Sequence, residues 1–185
     1  MDTNTLLIQL LLYVFLPLWG IAGFVDWCCH RATKIESTSG LLESFMHSIM
    51  GLQIAVPILL CLFFEINVLI LLICLAVLVL HELVAHLDVH YAAPKRKISI
   101  WEMHAHNYLS TLPLYMLSII VVMNWPTALK LVSFRWGGEM HFTRLAEAHG
   151  GSHYLFAYLT FMAVLCVFPY FEEFVRCALV RFRRT

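Results

Sequence analysis

Ten histidines are spread through 185 residues, and four of them follow a carboxylate by four positions. The pairs are Asp26/His30, Glu43/His47, Glu82/His86 and Glu102/His106. Four residues is just over one helical turn, so both members of a pair project from one face of a helix. Ten histidines and twelve acids in a chain of this length predict about 0.65 such pairs by chance. Carboxylate oxygens and imidazole nitrogens presented together are the donor set of iron, zinc and manganese sites. The segment around the third pair is richer still, with His81, Asp88 and His90 added to Glu82 and His86. On a helical wheel His81 and Asp88 share one direction, and Glu82, His86 and His90 share an adjacent one. Eleven potential ligands are too many for one ion. The pattern therefore predicts two metal ions bridged by carboxylates, with Asp26, His30, Glu43, His47, His81, Glu82, His86, Asp88, His90, Glu102 and His106 as candidate ligands. Asp88 is equally placed to orient an imidazole, and His104, which shares neither face with Glu102 and His106, is read as outside the ligand set or solvated.

The elements that must position these residues follow from composition. The chain is 61% hydrophobic and 13% charged, with a mean hydropathy of +0.80. A soluble domain of this size has too little interior for so much apolar surface, so the bilayer must be part of its solvent. Five apolar stretches, at about 6–25, 41–64, 68–89, 108–123 and 153–180, approach the ~20 residues that cross a hydrocarbon core. The first has an acidic start and too long an apolar run for a cleaved signal peptide. The expected fold is all-α, a single integral membrane domain over 1–185 built as an up-down bundle of about five transmembrane helices. Asp26/His30 closes the first span, Glu43/His47 opens the second, Glu82/His86 closes the third and Glu102/His106 opens the fourth. An antiparallel bundle brings all four pairs to one membrane level. Ionisable groups at that depth are costly unless they pair or bind a cation.

Three basic segments flank the spans: Arg31 and Lys34, then Lys95, Arg96 and Lys97, then Arg181, Arg183 and Arg184. All three fall on one side of a five-span bundle, and the positive-inside rule makes that side, and the metal site, cytoplasmic, with the amino terminus outside. The Ser37–Gly40 turn is suited to capping the second span. The stretch 125–153 becomes an outer connection with an interfacial helix at about 129–136. His141, His149 and His153 belong to that polar connection, and Lys130, Arg135 and Arg144 read as interfacial anchors. The five tryptophans fit interfacial belts. The six cysteines show no metal-type spacing and read as small packed hydrophobes; Cys28 and Cys29, between Asp26 and His30, are placed to influence the site indirectly. Glu82 sits in a near miss of the zinc-peptidase pattern: His86 comes one residue late, about 100° around the helix. Zero net charge leaves no footprint for nucleic acid.

The segment from Asp26 to His106, with His86 and His90 at simple histidine-box spacing, resembles the integral-membrane di-iron oxygenases: fatty acid desaturases, fatty acid and sterol hydroxylases and alkane hydroxylases. The resemblance implies two iron ions near the cytoplasmic surface, dioxygen activation, and hydroxylation or desaturation of a lipid-like substrate entering from the surrounding membrane lipids. A separate reductase would supply electrons, since no flavin, nicotinamide or iron–sulfur motif is present. Two alternatives remain at this point: a zinc-dependent membrane hydrolase using the same ligands, and a non-enzymatic haem-binding or metal-transport protein.

Overall fold

The computed structural model describes residues 2–183; Arg184, the last member of the third basic segment, lies outside them. Among the described residues five helices are long and apolar enough to cross a membrane: α1 (Thr3–Thr33), α2 (Leu41–Phe63), α3 (Val68–Ala92), α4 (Ile100–Met123) and α6 (Gly151–Phe182). A short helix, α5 (Trp125–Val132), follows α4. Among the described residues there is no β-sheet, only one isolated bridge between Phe64 and Arg144. This is the architecture of a multi-pass membrane protein. Large apolar side chains such as Leu52, Val79, Val122 and Phe156 face outward around the bundle, as a hydrocarbon solvent allows.

The helices close into a ring, with α1 on α4, α4 on α3, α3 on α2, α2 on α6 and α6 back on α1. Tight connections enforce the antiparallel order. Asn67 caps α3 by accepting from the Ile70 N–H, after a short turn from α2. Ser99 and Glu102 form a reciprocal capping box at the start of α4. That box starts the fourth helix at Ile100, eight residues before the apolar stretch, and makes the polar turn part of the helix. Similarly, α1 runs on to Thr33 and so carries His30 on regular helix.

Two expectations about local structure change. The Ser37–Gly40 turn does not cap α2 through a hydroxyl. Gly40 holds the N-cap position at φ 70°, where no side-chain cap forms, and its N–H donates to the Ile35 carbonyl instead. The interfacial helix spans Trp125–Val132 rather than 129–136, because Pro126 starts it and Phe134, at φ 56°, turns the chain away.

Helices α1 and α6 each contain one π-turn, at Leu11–Phe15 and Ala163–Val167. A proline follows each within two residues, Pro17 and Pro169. Proline lacks the N–H for the ladder and crowds the carbonyl four residues back, so the register slips by one. The freed groups find partners: the Tyr154 hydroxyl donates to the Leu12 carbonyl at 2.5 Å. The extra residue rotates the rest of α6 by about 100°, which aims Tyr170 and Glu173 toward α1 and α2. Gly20 and Gly23 permit the close approach, facing Phe161 and Met162, and Cys166 and Tyr170, respectively.

Candidate metal centre

One end of the ring encloses a polar cluster that no soluble core of this size would tolerate unpaired. Asp26, Glu43, Asp88, Glu102 and Glu173 are each at most 1% exposed, and His30 is fully buried. His47 is 5% exposed, and His106 closes the cluster from α4 at 21% side-chain exposure. Every spanning helix contributes: α1 gives Asp26 and His30, α2 Glu43 and His47, α3 Asp88, α4 Glu102 and His106, and α6 Glu173.

His30 sits at the middle. Its Nδ1 is 3.0 Å from Glu173 Oε2, while its Nε2 lies 3.5 Å from Asp26 Oδ1 and 3.3 Å from Glu102 Oε1. His106 Nε2 is 2.9 Å from the same Asp26 oxygen. His47 repeats the arrangement, with Nδ1 3.1 Å from Glu173 Oε1 and Nε2 3.3 Å from Asp88. Glu43 Oε1 is 3.9 Å from that Nε2. Two sets of donor atoms result, Asp26–His30–Glu102–His106 and His30–Glu43–His47, each with its atoms within 4.8 Å of one another. Two ligand atoms about 2.1 Å from one ion, at tetrahedral to octahedral angles, stand about 3.0–3.4 Å apart. The 2.9–3.5 Å spacings around His30 Nε2 and Asp26 Oδ1 lie close to that range, and the 3.9 Å between Glu43 Oε1 and His47 Nε2 lies outside it. His30 Nε2, Asp26 Oδ1 and Asp88 Oδ1 also make no aligned hydrogen bond among the described residues. Buried polar atoms are rarely left so. His30 has carboxylate oxygens at both ring nitrogens, so beyond the one hydrogen of a neutral imidazole it needs a second proton or a metal ion.

A cation of the protein's own is already present. Arg96 reaches in from the connection between α3 and α4, and its Nη2 bridges Glu43 and Glu102. Its Nε is 3.1 and 3.2 Å from the two Glu43 oxygens. Burial alone would lower the guanidinium pKa, but the Glu102 and Glu43 carboxylates outweigh it and hold it above its ordinary value, so Arg96 is charged. Five carboxylates and one guanidinium leave four negative charges when the imidazoles are neutral. Two divalent cations neutralise these. The Tyr170 hydroxyl, 3.0 Å from both Asp26 Oδ2 and the Gly23 carbonyl, donates to them and fixes the Asp26 carboxylate.

The membership differs from the expected one. Of the third pair and its neighbours, the structure brings Asp88 into the cluster and buries His81 on the same face two turns earlier, with its Nδ1 unpartnered among the described residues. Glu82, His86 and His90 stand on the other face, exposed, and none belongs to either donor set. They line a cavity instead. His104 is exposed as well. Glu173, Arg96 and Tyr170 were not among the candidates. The adjacent acids Glu172 and Glu173 inside an otherwise apolar span are a signal for Glu173; Arg96, one of three neighbouring cations, reads from sequence only as a topology marker. Cys28 is exposed and Cys29 half-buried, neither within hydrogen-bond reach of the cluster, while Cys61 and Cys74 pack as thiols 3.7 Å apart between α2 and α3.

The cavity, of about 1500 Å³, touches the cluster at Asp26, His47, Asp88, His106 and Tyr170 and continues between apolar walls that include Ile58, Leu109 and Met162. That exceeds the ~300–1,000 Å³ of ordinary ligand sites. The outer histidines are remote from it. The Asn67 amide NH2 donates to the His141 carbonyl and to its Nδ1, which also lies 2.8 Å from the Thr143 hydroxyl, and these contacts tie the connection between α5 and α6 to the start of α3. Burial lowers the pKa of His149, which favours its neutral form.

Around the cluster, Glu172 accepts from Trp27, Arg31 and Arg176, and Arg176 also pairs with Glu36. This network ties the end of α1 and the following turn to α6. No family model, curated protein or solved structure matches the chain.

Proposed function

We propose that this protein is a membrane oxidoreductase whose buried centre holds two iron ions and activates dioxygen to hydroxylate or desaturate a lipid-like substrate. One observation carries the reading: the two donor sets border an apolar cavity large enough for a hydrocarbon chain. Imidazoles and carboxylates suit iron, and a mixed set leaves coordination positions for a small molecule. In this reading a substrate enters sideways from the lipid and lays a carbon beside the centre near His47, Asp88 and His106. Tyr170 and Arg96 hold the carboxylates in place, and the packed helices keep water away. Electrons come from a separate reductase that meets the basic end of the bundle. That end is cytoplasmic by the positive-inside rule, and the amino terminus is outside; reporters fused after Met123 and at the carboxyl terminus should therefore lie on opposite sides.

Oxygen chemistry is tested directly. Protein loaded anaerobically with ferrous iron should develop ultraviolet-to-visible charge-transfer absorption when dioxygen is admitted, since zinc offers no redox step. A colourless protein that retains zinc from iron-replete medium, and is inert to dioxygen once reloaded with iron, would assign the hydrolase alternative.

A further inference from the structure

Glu173 holds both buried imidazoles at once. Its Oε2 faces His30 Nδ1 at 3.0 Å and its Oε1 faces His47 Nδ1 at 3.1 Å. The two rings are nearly parallel, 7° apart in plane, with centroids separated by 4.5 Å. A carboxylate offers only acceptors, so both Nδ1 atoms must carry hydrogen and donate. With Nδ1–H fixed on both rings, Nε2 is the atom left to take a metal ion or a second proton, and it faces Asp26 and Glu102 in one case and Asp88 in the other. Parallel rings aim their Nε2 atoms along two separate lines that do not converge on a point, so His30, which appears in both donor sets, groups with Asp26, Glu102 and His106, while His47 keeps Glu43 and Asp88.

We infer that Glu173 is the positioning residue that makes the centre dinuclear, clamping His30 and His47 side by side so that each imidazole serves its own cation. The inference rests on the metal-centre reading above. The 4.5 Å ring separation is close to the ~3.5–4 Å between ions in two-metal sites. Carboxylates behind ligating histidines are a general device for fixing ring orientation, and losing one typically costs 10–100-fold in metal affinity. Here one carboxylate acts on two ligands, so its removal should separate the two positions.

Zinc serves as a redox-inert probe. The wild-type protein in detergent should bind two zinc ions per chain. Glu173→Gln keeps the shape, but its amide has one acceptor oxygen and one donor NH2. One imidazole must then move its proton to Nε2 or turn away. The variant should bind one zinc ion tightly, with affinity for the second down at least tenfold. Glu172→Gln, on the neighbouring carboxylate that faces Arg31 and Arg176, should keep both ions. Nitrogen-15 spectra of the histidines in the wild-type protein give a reading independent of any variant: zinc should shift Nε2 of two imidazoles that both retain Nδ1–H. Two ions bound by Glu173→Gln with affinities within twofold of wild type, or zinc on Nδ1 of either ring, would overturn the clamp while leaving the centre standing. A wild-type protein that binds no zinc would instead sink the metal-centre reading itself.

Discussion

Glu102→Ala and Glu43→Ala should each strip the purified protein of at least half its metal, whereas Glu82→Ala should keep wild-type content. All three acids belong to carboxylate–histidine pairs of the same spacing, so the contrast isolates burial and convergence from sequence pattern. Glu43 and Glu102 are fully buried and sit in the two donor sets. Glu82 faces the cavity and touches neither set. Removing a ligand from a buried site should weaken binding by more than about a hundredfold, beyond the effect of losing a supporting hydrogen bond. Metal measured on monodisperse protein decides the matter. Equal loss in all three variants would mean that the exposed face of α3 binds metal too, and unchanged content in Glu43→Ala and Glu102→Ala would remove the centre.

Arg96→Ala should be the most damaging substitution for the metal-free protein. The guanidinium joins two carboxylates that are otherwise remote from any fixed cation, and its side chain is 2% exposed. Breaking a buried ion pair by deleting one partner typically costs about 3–5 kcal/mol. The net charge of the cluster also changes from four negative to five. The variant should therefore unfold at a clearly lower temperature in the presence of a chelator. Added zinc should recover a large part of the loss, because an ion that binds only the folded state stabilises it by mass action. Unchanged melting in chelator would show that Arg96 does not balance the cluster. A loss that zinc cannot offset would show that Arg96 holds the loop between α3 and α4 rather than the charge.

How much of this was legible in the sequence depends on which force decides each feature. The five spans are visible because bilayer crossing is a property of local composition, and the ends gained or lost at α1, α4 and α5 were set by caps and by Pro126. The i, i+4 spacing correctly says that Glu82 and His86 share a face. It cannot say which face the bundle buries. On α3 two polar stripes lie about 100° apart, and only packing against α2 and α4 selects the stripe of His81 and Asp88. Asp26 and Glu102 presented less of a choice, since their immediate neighbours Val25, Trp27, Trp101 and Met103 are apolar. Glu173 has no histidine partner on its own helix; its two partners are on α1 and α2, 143 and 126 residues away. The π-turn that aims it depends on Pro169 in a way that a regular helical wheel does not represent. Arg96 hid within a basic segment, where one of three neighbouring cations turns inward and the others, Lys95 and Lys97, remain exposed. The buried members carry a net four negative charges with neutral imidazoles: Asp26, Glu43, Asp88, Glu102 and Glu173 against Arg96.

That total makes the number of cations the most direct test. Protein purified anaerobically and equilibrated with excess ferrous iron, then freed of loosely held metal, should contain two iron ions per chain by elemental analysis. Glu43→Ala/Glu102→Ala protein treated identically should contain fewer than one. A wild-type value of one would leave two buried negative charges unbalanced and contradict the paired-imidazole arrangement. A value near zero, with the fold intact, would mean that protons on His30, His47 and His106 offset three of the four negative charges in place of metal, and the account of a metal centre would be wrong.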